Sequence, residues 1–245
     1  MNELVNNLKE DEMHDMAKAY DEQADDFAKF APESFTFAHI EKPAYDRYLA
    51  IMPGYKCLDI GAGSGRIAKM LLRRGVKPQN MNGVEISANL VEIAKRDVPG
   101  VNFVCGDARE PIGIEDGTLD LVTSHMVLEF FDEDGLDKVL QTVVRVLKPG
   151  GVFCSITTNP HKMTKKDGIK ENGWFKTKAP WGALVDNWFR KKRDFEEALL
   201  ESGLRPLVIQ DLHVPPESEK FNPERYAFVK NLDPVRLLIM AVKQG

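Results

Sequence analysis

Cysteine is scarce in this 245-residue chain: Cys57, Cys105 and Cys154 are the three, and none stands in a CxxC or Cys/His spacing. That excludes a disulfide framework and a structural zinc ribbon. Each cysteine lies in an apolar, strand-like run, so all three are expected as buried free thiols. Long apolar runs are missing as well. Nothing approaches the roughly 18 consecutive apolar residues of a membrane span. The opening Met1-Asn2-Glu3-Leu4 has neither the basic start nor the apolar stretch of a signal peptide, so the expected location is cytoplasmic. Neither sign of charge is in large excess: 33 Lys+Arg against 38 Asp+Glu leave −5, too little to mark a nucleic-acid binder. Internal repeats and low-complexity tracts are also lacking. What remains, with 43% hydrophobic residues, is a soluble globular chain with one large domain or one domain and a lid.

The charge is unevenly spread. Residues 1–33 hold ten acids and three lysines, −7, while residues 160–193 hold ten bases and three acids, +7. Between and around them, short apolar runs alternate with helical patterns from residue 55 onward, the pattern of βαβ units and a parallel sheet. Tyr55–Ile60, Met81–Ile86, Val101–Cys105, Leu119–Ser124 and Val152–Thr157 read as five strands. Ser87 reads as the cap of the helix after the second strand, and Pro149-Gly150-Gly151 ends the helix before the fifth. Two further strands are expected at Leu207–Val214 and Arg236–Val242, separated by a polar loop. Four parts follow: a helical cap over 1–50, a core over 51–158, an insertion over 159–193 that lacks strand alternation, and the rest of the core sheet over 194–245. Asp132, Glu133 and Asp134 open a helix and read as caps and favourable first-turn charges, so no catalytic metal is expected.

The sharpest local feature is Asp59-Ile60-Gly61-Ala62-Gly63-Ser64-Gly65-Arg66, between the first strand and the first helix of the core. Glycines at the carboxyl end of a strand let the chain turn sharply and let a ligand approach the backbone. The spacing is GxGxG rather than the dinucleotide GxGxxG, and Asp59 would repel a pyrophosphate, so a zwitterionic or cationic ligand fits better than a nicotinamide dinucleotide. Glu85 ends the second strand, where an acid can accept from both hydroxyls of a ribose. Asp107, beside Gly106 at the end of the third strand, can accept from an exocyclic amino group such as that of adenine.

These segments, taken with Leu119-Asp120-Leu121-Val122-Thr123-Ser124 and Leu147-Lys148-Pro149-Gly150-Gly151, resemble in order and spacing the motifs of class I S-adenosylmethionine-dependent methyltransferases, over about residues 55–157. The resemblance implies an α/β, doubly wound Rossmann-like seven-stranded sheet of order 3-2-1-4-5-7-6 with the last-numbered strand antiparallel. It also implies an N-terminal helical cap and a lid insertion after the fifth strand. S-adenosylmethionine is the implied cofactor, with S-adenosylhomocysteine as product. By this likeness Gly61, Ala62 and Gly63 line the methionine moiety, with Asp59, Gly65 and Arg66 in the same loop. Glu85 takes the ribose and Ile86 a ring face, beside Ser87. Gly106, Asp107 and Ala108 hold the adenine, and Ser124 and His125 approach the methyl donor. Tyr20-Asp21-Glu22-Gln23-Ala24 resembles the Tyr-Asp-x-x-Ala segment that caps the cofactor in small-molecule members.

Methyl transfer from a sulfonium chiefly needs alignment and exclusion of water, with a base only where the acceptor arrives protonated. His125 is the best placed histidine for that role, and His161, opening the insertion, is a second candidate. No Asn/Asp-Pro-Pro-Tyr segment follows the fourth strand, which points to a small-molecule acceptor methylated at O or N rather than to nucleic acid. An RNA or protein acceptor and a non-catalytic cofactor-binding protein are the alternatives. The acidic cap and basic insertion are expected to form a two-part lid drawn together by charge, with Phe27, Phe30, Trp174 and Trp181 lining the acceptor pocket. No membrane partner is expected, and the residues do not decide the oligomeric state.

Overall fold

Cys57-Leu58-Asp59-Ile60, buried at every position, forms β1 (Cys57–Ile60), the strand on which the rest of the sheet is laid. A strand flanked on both sides must be apolar on both faces, and Asp59 is the exception whose carboxylate is addressed below. The computed structural model describes residues 16–245. In chain order the other strands are β2 (Met81–Glu85), β3 (Asn102–Cys105), β4 (Leu119–His125), β5 (Leu147–Thr158), β6 (Gly173–Lys178), β7 (Leu184–Phe189), β8 (Leu204–Leu212) and β9 (Arg236–Lys243). Seven of them make one sheet in the order β3-β2-β1-β4-β5-β9-β8. Because β6 and β7 pair separately as a hairpin, β8 and β9 are the sheet's sixth and seventh members, and the order is the expected one. β9 runs antiparallel to both neighbours.

The helices are α1 (Met16–Glu22), α2 (Ala24–Phe30), α3 (Lys42–Tyr48), α4 (Arg66–Arg73), α5 (Ala88–Asp97), α6 (Glu133–Val146), α7 (Pro160–Asp167), α8 (Lys192–Ser202) and α9 (Pro223–Asn231). One apolar cluster joins the sheet to α3, α4, α5 and α9 through Tyr45, Leu71, Val91 and Val229, and a second joins it to α6 and α8 through Val139, Val143 and Leu199. The local signals behave as the sequence leads one to expect at two caps. Ser87 Oγ accepts from Leu90 N–H at the start of α5, and Asp132 Oδ1 accepts from Gly135 N–H at the start of α6.

Register places the functional edge. Ile60 lies opposite Val84 of β2 and Ser124 of β4, and His125 lies opposite Ile156 of β5, so these parallel strands end along one side. Arg236, the first residue of antiparallel β9, pairs with Thr158 at the end of β5 and therefore joins that same side.

Three expectations are corrected. Residues 159–193 do contain strands: Trp174 pairs with Trp188 and Phe175 with Asn187 across β6 and β7. Only part of that ribbon is buried, so lysines and polar residues mask the alternation. The polar stretch between β8 and β9 forms α9, capped by Asn222 Oδ1 accepting from Arg225 N–H; its exposed Phe228 breaks any simple apolar stripe. Cys105 is exposed rather than buried, because β3 is the sheet's edge strand and buries only Phe103.

Candidate functional site

The ends of β1, β2, β4 and β5 open into a cavity of about 1000 Å³ that α1, α2 and the β6–β7 hairpin cover. At its β1–β2–β3 end the glycine loop does two things. Gly63 has φ +54°, and a Cβ built there would stand 3.1 Å from the Phe27 ring, which would have to give way by a few tenths of an ångström. Gly65, with φ +82°, faces Val98 and Phe103 instead and lets α4 pack on the sheet. Gly61, Gly63 and Arg66 line the cavity, whereas Asp59, Ala62, Gly65, Ser87 and Ser124 stand behind its wall. Asp59 is buried, and its Oδ1 accepts from Thr123 Oγ1 at 2.8 Å while Oδ2 has no partner among the described residues. Burial pushes its carboxyl up to about 7.

Glu85 is held facing the cavity. Gly63 N–H donates to its Oε2 at 2.8 Å and Ser87 N–H to its Oε1 at 3.0 Å. Burial raises its pKa, and these backbone donors act in the opposite direction. Each oxygen keeps a lone pair for a further donor. Ser87 itself is occupied as a cap and donates to Asp21 Oδ1 at 2.5 Å, tying α1 to α5. Ile86, Gly106, Asp107 and Ala108 line the cavity beside Glu85. Asp107 is already engaged by Arg109, whose Nη2 donates at 2.6 Å, so an adenine amino group would share or displace that contact.

The cap closes over this end by aromatic packing. Trp181, in the turn of the hairpin, lies 5.7 Å from Tyr20, 5.1 Å from Phe27 and 5.7 Å from Phe30 between ring centroids. Trp174 also lines the cavity but packs on Trp188 at 5.2 Å. Burial, followed by the charges of Glu85 and Glu129, raises the Tyr20 phenol well above its ordinary value, so its hydroxyl keeps its proton. Arg66 donates to the Ala31 carbonyl at 2.8 Å and covers the Phe37 ring at 4.2 Å, fastening the cap to the glycine loop.

The opposite end was not anticipated residue by residue. Arg236 Nε donates to Glu41 Oε1 at 2.5 Å, and His125 Nε2 lies 3.2 Å from Glu41 Oε2. Tyr45 Oη is 3.1 Å from His125 Nδ1. Although burial opposes it, the Arg236 guanidinium, together with His125, holds Glu41 well below the usual carboxylate range. Burial, then Arg66, pushes His125 down to about 4. His125 lines the cavity, with Nδ1 in hydrogen-bond contact with the Tyr45 hydroxyl and Nε2 facing Glu41 Oε2 without a hydrogen bond. His161 is exposed on α7 and lies outside the lining. Glu41, Glu129, Lys162 and Arg236 line the cavity without having been singled out. The available signals were charges inside apolar surroundings, as in Val235-Arg236-Leu237 and Leu128-Glu129-Phe130.

Residues 58–155 match the family described as methyltransferase domain. An uncharacterized methyltransferase of Synechocystis sp. is 35% identical over 109 residues, 44% of this chain and 49% of that protein. Malonyl-[acyl-carrier protein] O-methyltransferase of Enterobacter lignolyticus is 26% identical over 197 residues, 77% of this chain and 71% of that protein. The chain spans about half the length of the Synechocystis relative, and 24% of a wheat phosphoethanolamine N-methyltransferase. Among solved structures, the methyltransferase in complex with the Haloferax volcanii Trm112 activator aligns with a TM-score of 0.70 at 20% identity, covering 94% of this chain and 97% of that one. An S-adenosylmethionine-dependent methyltransferase of Mesorhizobium loti aligns at 0.68 and 20% identity, over 83% and 97%. Residues 58–155 thus match a methyltransferase domain, and the fold is the one these solved methyltransferases share.

Proposed function

We propose that the chain transfers a methyl group from S-adenosylmethionine to an oxygen or nitrogen of a small-molecule acceptor, with residues 1–50 as cap and 159–193 as lid. The observation that carries this is the placement of Glu85, Asp107 and Gly63 around one end of a covered cavity that continues beyond them. The residues fit the cofactor. Glu85 has free lone pairs for the ribose hydroxyls, and Ile86 and Leu90 offer apolar contact. When bound, S-adenosylmethionine supplies a sulfonium methyl with a good leaving group.

The chain's own contribution is then alignment and exclusion of water. Tyr20, partly buried and kept protonated by burial and the charges of Glu85 and Glu129, lines the cavity and packs against Phe27 and Phe130. Trp181 and Phe27 close the roof. Burial, then Arg66, lowers the His125 pKa to about 4, so the imidazole lining the cavity is neutral near pH 7.

Calorimetry with S-adenosylmethionine, S-adenosylhomocysteine and NAD tests the cofactor. The first two should bind, and Glu85→Ala should weaken them by about 1.5–3 kcal/mol per charged hydrogen bond lost. NAD binding instead, or unchanged affinity in a folded Glu85→Ala protein, would remove this reading. A radiolabelled-methyl screen over metabolites then separates turnover from binding alone.

A further inference from the structure

Charged side chains of both signs line the cavity at each end. Glu85 and Asp107 mark the cofactor end, while Lys162 and Arg236 line the end formed by β5, α7 and β9. Lys162 is the third residue of α7, and α7 is firmly anchored. Asn159 Oδ1 accepts from His161 N–H at 2.8 Å, and Asn159 Nδ2 donates to Asp211 Oδ1 at 2.9 Å and to the Arg236 carbonyl at 3.1 Å.

The charges around Lys162 are satisfied elsewhere. Arg236 is bonded to Glu41 and to Thr36 Oγ1. Glu129 accepts from Thr157 Oγ1 at 2.7 Å and Thr158 Oγ1 at 2.9 Å. Lys166 donates to Thr177 Oγ1 at 3.1 Å and lies 3.7 Å from Asp167. Lys162 alone of this group makes no hydrogen bond or ion pair among the described residues, yet it is partly buried and faces the cavity. Burial, with Arg236 and Lys166 beside it, pushes its ammonium down to about 7. The charges of Glu129 and Asp167 offset this only in part, and a half-buried ammonium with no hydrogen bond gains from a ligand that brings an anion.

We propose that Lys162 is the binding point for an anionic oxygen group, a carboxylate or a phosphate, carried by the acceptor. The proposal rests on the methyltransferase reading for the word acceptor, but the anion site is a property of this chain by itself. The anion is a handle rather than the methylated atom, since an ammonium bonded to the nucleophile would hold the lone pair that must attack. Apolar walls such as Phe35 and Phe228 leave room for a hydrocarbon body beyond the handle.

The test uses three probes that share a body, octanoate, octyl phosphate and octan-1-ol, with and without saturating S-adenosylhomocysteine. Acetic anhydride labelling at pH 7.5, read lysine by lysine by mass spectrometry, should fall at least threefold at Lys162 with an anionic probe and not with the alcohol. The anion that protects at lower concentration identifies the group. By calorimetry Lys162→Met should bind that probe at least tenfold more weakly, and Lys162→Arg should keep it within threefold, with the S-adenosylhomocysteine affinity unchanged in both. Equal protection by the alcohol, no protection by any probe, or wild-type binding by Lys162→Met would overturn the proposal. Failure to bind S-adenosylhomocysteine would instead overturn the cofactor reading and leave the Lys162 result standing on the arm without it.

Discussion

The two ends of the cavity are built by different means. The cofactor end is made of consecutive strand-end loops, Gly61–Arg66, Glu85–Ser87 and Gly106–Ala108, whose backbone both shapes the space and orients the acids; Gly63 N–H on Glu85 is the clearest case. The other end gathers Glu41, His125, Lys162 and Arg236 from four separate elements, and the Glu41–Arg236 pair joins residues 195 positions apart. At the first end, turn geometry within short segments sets the chemistry. At the second, tertiary charge pairing sets it, and a change there should be felt first as stability.

The difference can be broken most severely at Gly63. Gly63→Val places a branched side chain in a left-handed conformation and against Phe27. S-adenosylhomocysteine binding should fall below detection by calorimetry, while the far-ultraviolet circular dichroism stays that of a folded α/β protein. Normal binding by the folded variant would mean that the ligand does not lie over this loop.

Arg236→Met should give the inverse pattern. It leaves Glu41 buried beside His125 without its guanidinium, and breaking such a pair costs about 3–5 kcal/mol of stability. Urea unfolding should show that loss, with S-adenosylhomocysteine affinity little changed. Adding Glu41→Gln should return much of the stability, because the uncompensated charge is then gone. If Arg236→Met instead abolishes cofactor binding and leaves stability intact, the division between the two ends is wrong.

That division also decides what could be read in advance. Five strands and the strand-end acids were legible because each is a short-range pattern: an apolar run, a glycine turn, a carboxylate at a fixed place after a strand, whereas the sheet order came from the family resemblance. Asp132 and Ser87 as caps belong to the same kind. The Glu41–His125–Arg236 group was not legible, since nothing near Glu41 in the chain announces Arg236. His125 shows the cost of that. Its place after the fourth strand was readable, whereas Tyr45 and Glu41, which face its nitrogens, come from α3 and the helical segment Phe37–Glu41 before it. The β6–β7 hairpin failed for another reason, its lysines and asparagines standing where alternation would have shown.

The smallest expected effect concerns what holds the cap to the hairpin. The opposite charges of 1–33 and 160–193 predict closure by ion pairing, but the contact among the described residues is aromatic, Trp181 against Tyr20, Phe27 and Phe30. Residues 1–15 of the acidic segment lie outside the described residues. Aromatic contacts contribute about 0.5–1.5 kcal/mol each beyond burial, so three of them together exceed the ~1.4 kcal/mol that corresponds to a tenfold shift in opening. Exposed ion pairs contribute about 0–1 kcal/mol and weaken with salt. Limited proteolysis within 160–193 follows the open population when opening is fast relative to cleavage. Trp181→Ala should therefore raise the cleavage rate about tenfold or more, whereas increasing sodium chloride tenfold should change it in the wild-type chain by less than about threefold. The Trp181→Ala chain should be the more salt-sensitive of the two, because charge is then a larger share of what closes it beside the contacts of Met16 and Tyr20 with Ala179, Ala183 and Val185. Should salt open the wild-type chain as far as Trp181→Ala does, the charge asymmetry rather than the aromatic cluster holds the roof, and the cofactor end would be covered by the same long-range pairing that builds the other.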